Sequence, residues 1–161
     1  RIRIVGNFGF TETRESIFQG LNSKMCEILA AVGLATLDVY QQKILIRENL
    51  YNLYVNEILQ KDMLNNGWRL QALEGRVVHQ FMPILCPEGE SNSEYVNKLE
   101  GENIQARTYF NPVCHLQASF KGFRQDNLKA TERIANRVMS LPLWEEMTNR
   151  EIKSVVEILI S

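Results

Sequence analysis

The chain has 161 residues, of which 45% are hydrophobic and 23% charged, and a formal net charge of -1. This is ordinary for a globular protein able to bury a sizeable core. The near-neutral balance, without a long basic run, argues against a nucleic-acid partner, and no apolar run approaches the ~20 residues that span a bilayer.

The chain opens at Arg1, without Met and without a signal-peptide pattern, which predicts a piece of a longer protein. Cys26, Cys86 and Cys114 are odd in number, far apart and in apolar sequence settings. They read as free thiols of a reducing cytoplasm. With only His79 and His115, and no Cys-x-x-Cys, a structural zinc site is not expected.

Arg1–Val5 alternates and fits the end of a strand or of a helix; 6–10 and 11–19 read as loops. A long helix is predicted from about Asn22 to about Gln60. Asn22 or Ser23 serves as N-cap, and Glu27 lies near the positive end of the dipole. From Met25 to Leu37 nearly every face is apolar, so that part is expected to be buried all round. Further on, Leu37, Ile44, Tyr51 and Ile58 recur every seven residues, with Tyr40, Arg47 and Tyr54 alongside. Gly33 and the apolar first half weaken a coiled-coil reading. At ~1.5 Å per residue such a helix is about 50 Å long, a strut rather than an element of a compact domain.

Asn65-Asn66-Gly67 closes the helix. Trp68–Leu73 reads as a weak strand, and Val77–Leu85 as a stronger one in which Pro83 argues for an edge or a bulge. Ser91–Glu94 reads as a capping box before a helix, Ile104–Phe110 as the next strand, and Asp126 or Asn127 as the cap of another helix. Leu141-Pro142-Leu143 is extended. Thr148–Glu151 is a second capping box, followed by the core stripe Ile152, Val155, Val156 and Leu159. The whole is an α/β (α+β) arrangement: a long N-terminal helix, then a small C-terminal domain of a few strands packed with helices. The expected boundaries are 1–21 for a preceding loop, 22–62 for the helix and 63–161 for the small domain.

Three separated motifs carry a resemblance. Gly20-Leu21-Asn22-Ser23-Lys24-Met25-Cys26-Glu27, followed by Ala30-Ala31-Val32-Gly33-Leu34, resembles the pyridoxal phosphate (PLP)-dependent sugar aminotransferases of the DegT/DnrJ/EryC1/StrS type, which are fold-type I enzymes. Ile104–His115 is similar to that family's Ile-x-x-Arg-x-Tyr-(Tyr/Phe)-x-Pro-(Leu/Val)-x-His. Arg137-Val138-Met139-Ser140-Leu141-Pro142, with Met147-Thr148 and Glu151-Ile152, is similar to its C-terminal motif. The sequence departs from the pattern at Lys24, where Arg is commoner and the planar fork is lost. It departs again at Glu102-Asn103, where a Gly is usual; Asn103 tolerates the same left-handed backbone.

The resemblance implies the C-terminal part of an enzyme that moves an amino group from an amino acid (glutamate in the family) to a nucleotide-linked keto-deoxysugar for surface polysaccharides. It implies that Asn22 reaches the PLP phosphate of the neighbouring protomer, and that Lys24, Tyr109 and His115 face the substrate. As bare residues these read as a cap, a surface cation, a half-buried tyrosine and a structural histidine. Arg107 reads as a solvent-facing charge and Glu145-Glu146 as a solvated loop pair. The family's PLP-bearing lysine has no counterpart here, and Lys121 reads as a surface decoy. The resemblance therefore implies no catalytic residue here and an inactive isolated chain that self-associates as a homodimer or otherwise. The alternative is a truncated homologue acting as a binding or assembly module.

Overall fold

The computed structural model describes residues 1–120, 122–123 and 127–161. Lys121 and Asp126, read above as a decoy and a cap, lie outside them. The chain divides into two compact units, Arg1–Gln41 and Gln42–Ser161.

The first unit holds a short helix α1 (Ile2–Val5), a closed loop and the start of the long helix α2 (Glu27–Gln60). The helix begins about five residues later than the spacing predicts. Asn22 is no cap, because its backbone is already engaged in an isolated antiparallel bridge with Asn7. The stretch expected to be buried all round is exposed in this chain: Met25, Ile28, Leu29, Val32, Leu34 and Leu37 are each 59–77% accessible.

In the second unit the remainder of α2 buries Ile44, Leu50, Tyr51, Tyr54, Glu57 and Ile58. Three of the four positions at seven-residue spacing are thus in the core. A three-stranded antiparallel sheet follows in the order β1 (Arg69–Leu70), β2 (Met82–Leu85), β3 (Val138–Leu141). Both predicted strands before residue 86 are shorter than expected, and Ile104–Phe110 contributes only a bridge, Arg107 to Ser140, instead of a strand.

Pro83 lies in the middle strand, opposite Ser140. Ser140 spends its own N–H and C=O on Arg107, at 2.7 and 3.1 Å. The Pro83–Ser140 pair is therefore non-hydrogen-bonded, and the missing proline donor faces the side where β1 has already ended. Locally, Pro83 is at an edge.

Helix α3 (Asn92–Gly101) starts at Ser91, whose side chain accepts from Ser93 N; the predicted reciprocal box with Glu94 is not formed. Asn103 closes α3 at φ 60°, the left-handed geometry expected of it. Ile104 N–H then reaches Leu99 O at 2.9 Å, a Schellman-type closure. Helix α4 (Lys129–Ala135) is preceded by Asn127, whose side chain accepts from Lys129 N. Helix α5 (Asn149–Ile160) carries the full capping box of Thr148 and Glu151 and buries all four residues of its predicted stripe.

Buried Asn92 donates to Ala135 O and Val138 O, tying α3 to the end of α4. The Arg137 guanidinium donates to Cys86 O through two nitrogens and to Glu88 through the third. Cys86 is buried, whereas Cys26 and Cys114 are exposed; all three are free.

Candidate functional site

In the first unit, two chain segments are zipped together. Leu21 N–H donates to Val5 O, Phe8 N–H to Leu21 O and Ser23 N–H to Gly6 O, at 2.8–3.0 Å. The approach is so close that a Cβ on Gly20 would lie 2.2 Å from Gly9 N. A Cβ on Gly9, which has φ +78°, would lie 1.8 Å from Phe18 O. These two glycines are what the loop requires. Asn22 and Lys24 leave it with exposed side chains, and the Lys24 ammonium sits 5.2 Å from the centre of the Phe8 ring. An amide and an ammonium are both hydrogen-bond donors, of the kind that suits an anion.

In the second unit, Tyr109 and His115 line one groove of about 540 Å³, together with Phe110, Val113 and Ile134. His115 starts from a 3₁₀ turn, Cys114–Leu116, and its Nε2 lies 2.9 Å from Glu132 Oε1 on α4. Tyr109 is half-exposed and its ring packs 5.1 Å from that of Phe81. Arg107 is exposed, as its sequence setting predicts.

Glu145 corrects the expectation of a solvated loop pair. Its Oε1 accepts from Arg47 Nε at 3.0 Å, and both side chains are about four-fifths buried (22% and 21% accessible). The Arg47 hydrogen bond, a backbone hydrogen bond and the nearby Lys43 hold the Glu145 carboxyl below its ordinary range against some burial. The Arg47 Nη1 also donates to His79 O and Gln80 O, at 3.1 and 3.2 Å. His79 itself is buried and stacks on Tyr51 at 4.0 Å, almost parallel. Burial pushes its imidazole down, and Glu48 offsets part of that.

Sequence reasoning missed Arg47, His79 and Glu145 as a group. The available signal was a cation set between Tyr40 and Tyr54 on the seven-residue track of α2. Its partners are 32 to 98 residues away and leave no local pattern. Among the described residues no cluster of His, Cys, Asp and Glu could hold a metal ion. No described helix is long and apolar enough to cross a membrane.

The chain superimposes over its whole length on a Bacillus cereus ATCC 10987 protein assigned as a PLP-dependent aminotransferase, with a TM-score of 0.95 and 40% identity, covering 44% of that chain. It is 26% identical to a dTDP-4-amino-4,6-dideoxy-D-glucose transaminase of Escherichia coli over 99% of this chain and 44% of the enzyme. It is 29% identical to the protein Rv3402c of Mycobacterium tuberculosis H37Rv over 93% of this chain and 36% of that protein. The chain thus spans less than half the length of each of these relatives. The profile of one family matches residues 1–160, and it is the family of the three sequence motifs: the chain belongs to the DegT/DnrJ/EryC1/StrS aminotransferase family.

Proposed function

We propose that this chain is the C-terminal part of a PLP-dependent aminotransferase that transfers an amino group from an amino acid, glutamate, to a nucleotide-linked keto-deoxysugar. The observation that carries this reading is the family match over residues 1–160, alongside an E. coli relative that is a transaminase of a dTDP-linked sugar. The product would feed surface polysaccharide, and the enzyme would work in the cytoplasm as a homodimer. Residues 1–21 would end a large domain, 22–62 would link and dimerise, and 63–161 would form the small domain.

PLP, when bound, supplies the electron sink that lets an amino group change carbon skeletons. The residues of this chain do the holding. The Asn22 amide would help hold the phosphate of the partner protomer's PLP, and the Lys24 charge would favour substrate phosphates. Tyr109 offers an aromatic face with a polar tip to the sugar, and His115, oriented by Glu132, offers a ring nitrogen. The lysine that binds PLP belongs to the large domain, so the 161-residue chain alone is inactive.

The test is the intact mass and cofactor content of the polypeptide in its source cells. The expected result is a mass more than twice 18.6 kDa, a borohydride-reducible PLP lysine outside residues 1–161, and transamination of a nucleotide-linked keto-sugar. A native mass near 18.6 kDa without PLP would overturn the reading and leave a binding or assembly module.

A further inference from the structure

The Arg47 guanidinium has no place in the chemistry above, yet it is largely buried on the flank of α2. Three of its contacts are within hydrogen-bond distance: Glu145 Oε1 at 3.0 Å, His79 O at 3.1 Å and Gln80 O at 3.2 Å. The two carbonyls belong to a stretch, 77–81, that forms no ladder with the sheet and whose backbone closes on itself through Gln80 N–H to Val78 O at 3.0 Å. Residue 81 is the next along the chain. Its ring, Phe81, meets Tyr109 at 5.1 Å, and Tyr109 meets Phe110 at 5.0 Å. On the other side, His79 is stacked on Tyr51, one helical turn beyond Arg47 on α2.

These contacts form a continuous path from α2 to the half-exposed tyrosine. The cleft beside it, about 260 Å³, is lined by Tyr51, His79, Phe81, Tyr109 and Ser140 among others and, among the described residues, by no Lys, Arg, Asp or Glu. The ring contacts of Tyr109 are with Phe81 and Phe110, and aromatic packing is directional but weak. Packing of that kind needs a backbone that does not drift. An ion-paired guanidinium that caps two consecutive carbonyls supplies one, because its planar fork has little freedom once Glu145 has fixed it.

We propose that Arg47 is a positioning residue: through the 79–80 carbonyls it holds Phe81 against Tyr109 and so sets the ring that Tyr109 offers to the sugar. This rests on the proposed function for the role of Tyr109, but the mechanical half does not.

The experiment uses the full-length protein and the variants Arg47→Met, Arg47→Lys and Phe81→Ala. Amide hydrogen exchange is followed at 77–81 and at 107–111. Kinetics are run with dTDP-4-amino-4,6-dideoxy-D-glucose and other nucleotide-linked amino sugars as donors and 2-oxoglutarate as acceptor. Arg47→Met is expected to speed exchange in both segments and to raise the sugar KM about tenfold while kcat stays within about twofold, the mark of lost binding geometry. Arg47→Lys, which keeps the charge without the fork, should fall between. Phe81→Ala should reproduce the KM change, and the double variant should add little to it, since both act on one path.

Faster exchange at 77–81 alone, with 107–111 and the sugar KM unchanged, would overturn the proposal and leave Arg47 a purely structural residue. Unchanged exchange at 77–81 would overturn it outright. If the wild-type protein transaminates none of the sugars, the functional reading fails, and the exchange of 107–111 in Arg47→Met still decides whether Arg47 positions Tyr109.

Discussion

Arg47 and Glu145 meet at 3.0 Å across 98 residues of sequence, joining the long helix to the loop that leads into α5. Two kinds of strength are combined there. The pair is partly desolvated, and the guanidinium has backbone acceptors to spare.

The carboxyl of Glu145 is held below its ordinary value, chiefly by the hydrogen bond from Arg47. A depressed acid stabilises the fold above its unfolded value, and that contribution disappears as the pH falls through the lower, folded value. Acid titration of thermal stability should therefore show a loss that begins below about pH 4.5. Glu145→Gln should remove that component, at a cost near neutrality of about 1 kcal/mol. An unaltered acid limb in the variant would show that the pair contributes nothing.

His79 gives a second pH dependence in a different window. Burial against Tyr51 lowers its proton affinity, with Glu48 acting the other way. Below the ordinary histidine value of about 6.5 the unfolded chain takes up the proton first, so stability falls as the pH drops from about 7 towards the depressed folded value. His79→Phe keeps a flat ring on Tyr51 and cannot titrate. Its melting temperature is expected to be flat between pH 7 and pH 5, where the wild type declines. Parallel declines in both proteins would assign that slope to other groups.

What was legible in the sequence follows the range of the forces involved. The capping box at Thr148 and Glu151, the stripe on α5 and the left-handed Asn103 are set by residues within a few positions of one another, and all three form. Helix α2 starts later than its local signals predict, because Asn22 is a good local cap whose backbone is claimed by Asn7, fifteen residues earlier. Ile104–Phe110 has strand-forming residues but finds a single bridge, because the hydrogen-bonding groups it meets belong to Ser140 at the sheet's rim. The clamp around Arg47 was unreadable for the same reason, since each of its partners is distant in sequence. Family motifs pointed to Tyr109 and His115, which share a groove, yet gave no sign of Phe81 beside them.

Tyr54 tests the core where α2 meets the segment after β3. It is fully buried, and its hydroxyl donates to Pro142 O at 2.9 Å with Met147 Sδ at 3.8 Å. Burial, with Glu151 adding to it, pushes the phenol far above its usual range, so it stays neutral and a donor at all accessible pH. Tyr54→Phe keeps the ring and strands the carbonyl. Chemical denaturation should show a loss of about 1–2 kcal/mol, the cost of an unpaired buried acceptor. A neutral result would mean that water reaches Pro142 O in the variant.

Gly20 offers a way to test the proposed phosphate contact without touching the contacting side chain. A Cβ there would lie 2.2 Å from Gly9 N, 2.5 Å from Phe8 C and 2.7 Å from Val5 O, all backbone atoms that cannot step aside cheaply. Gly20→Ala must therefore pry apart the segments that carry Asn7 and Asn22, and the Asn22 amide moves with them. In the full-length protein, Asn22→Ala should weaken PLP retention about tenfold, the worth of one hydrogen bond to a charged group. Gly20→Ala should weaken it at least as much. Gly101→Ala is the control, since a methyl there meets nothing within 4 Å and lies in the last turn of α3, outside the segment proposed to dimerise; it should add up to about 1 kcal/mol of stability. Cofactor retained after dialysis, read by its visible absorbance, separates the three variants. If Gly20→Ala and Asn22→Ala both hold PLP as the wild type does, Asn22 is no phosphate ligand. If only Asn22→Ala loses it, the contact does not depend on the closed loop.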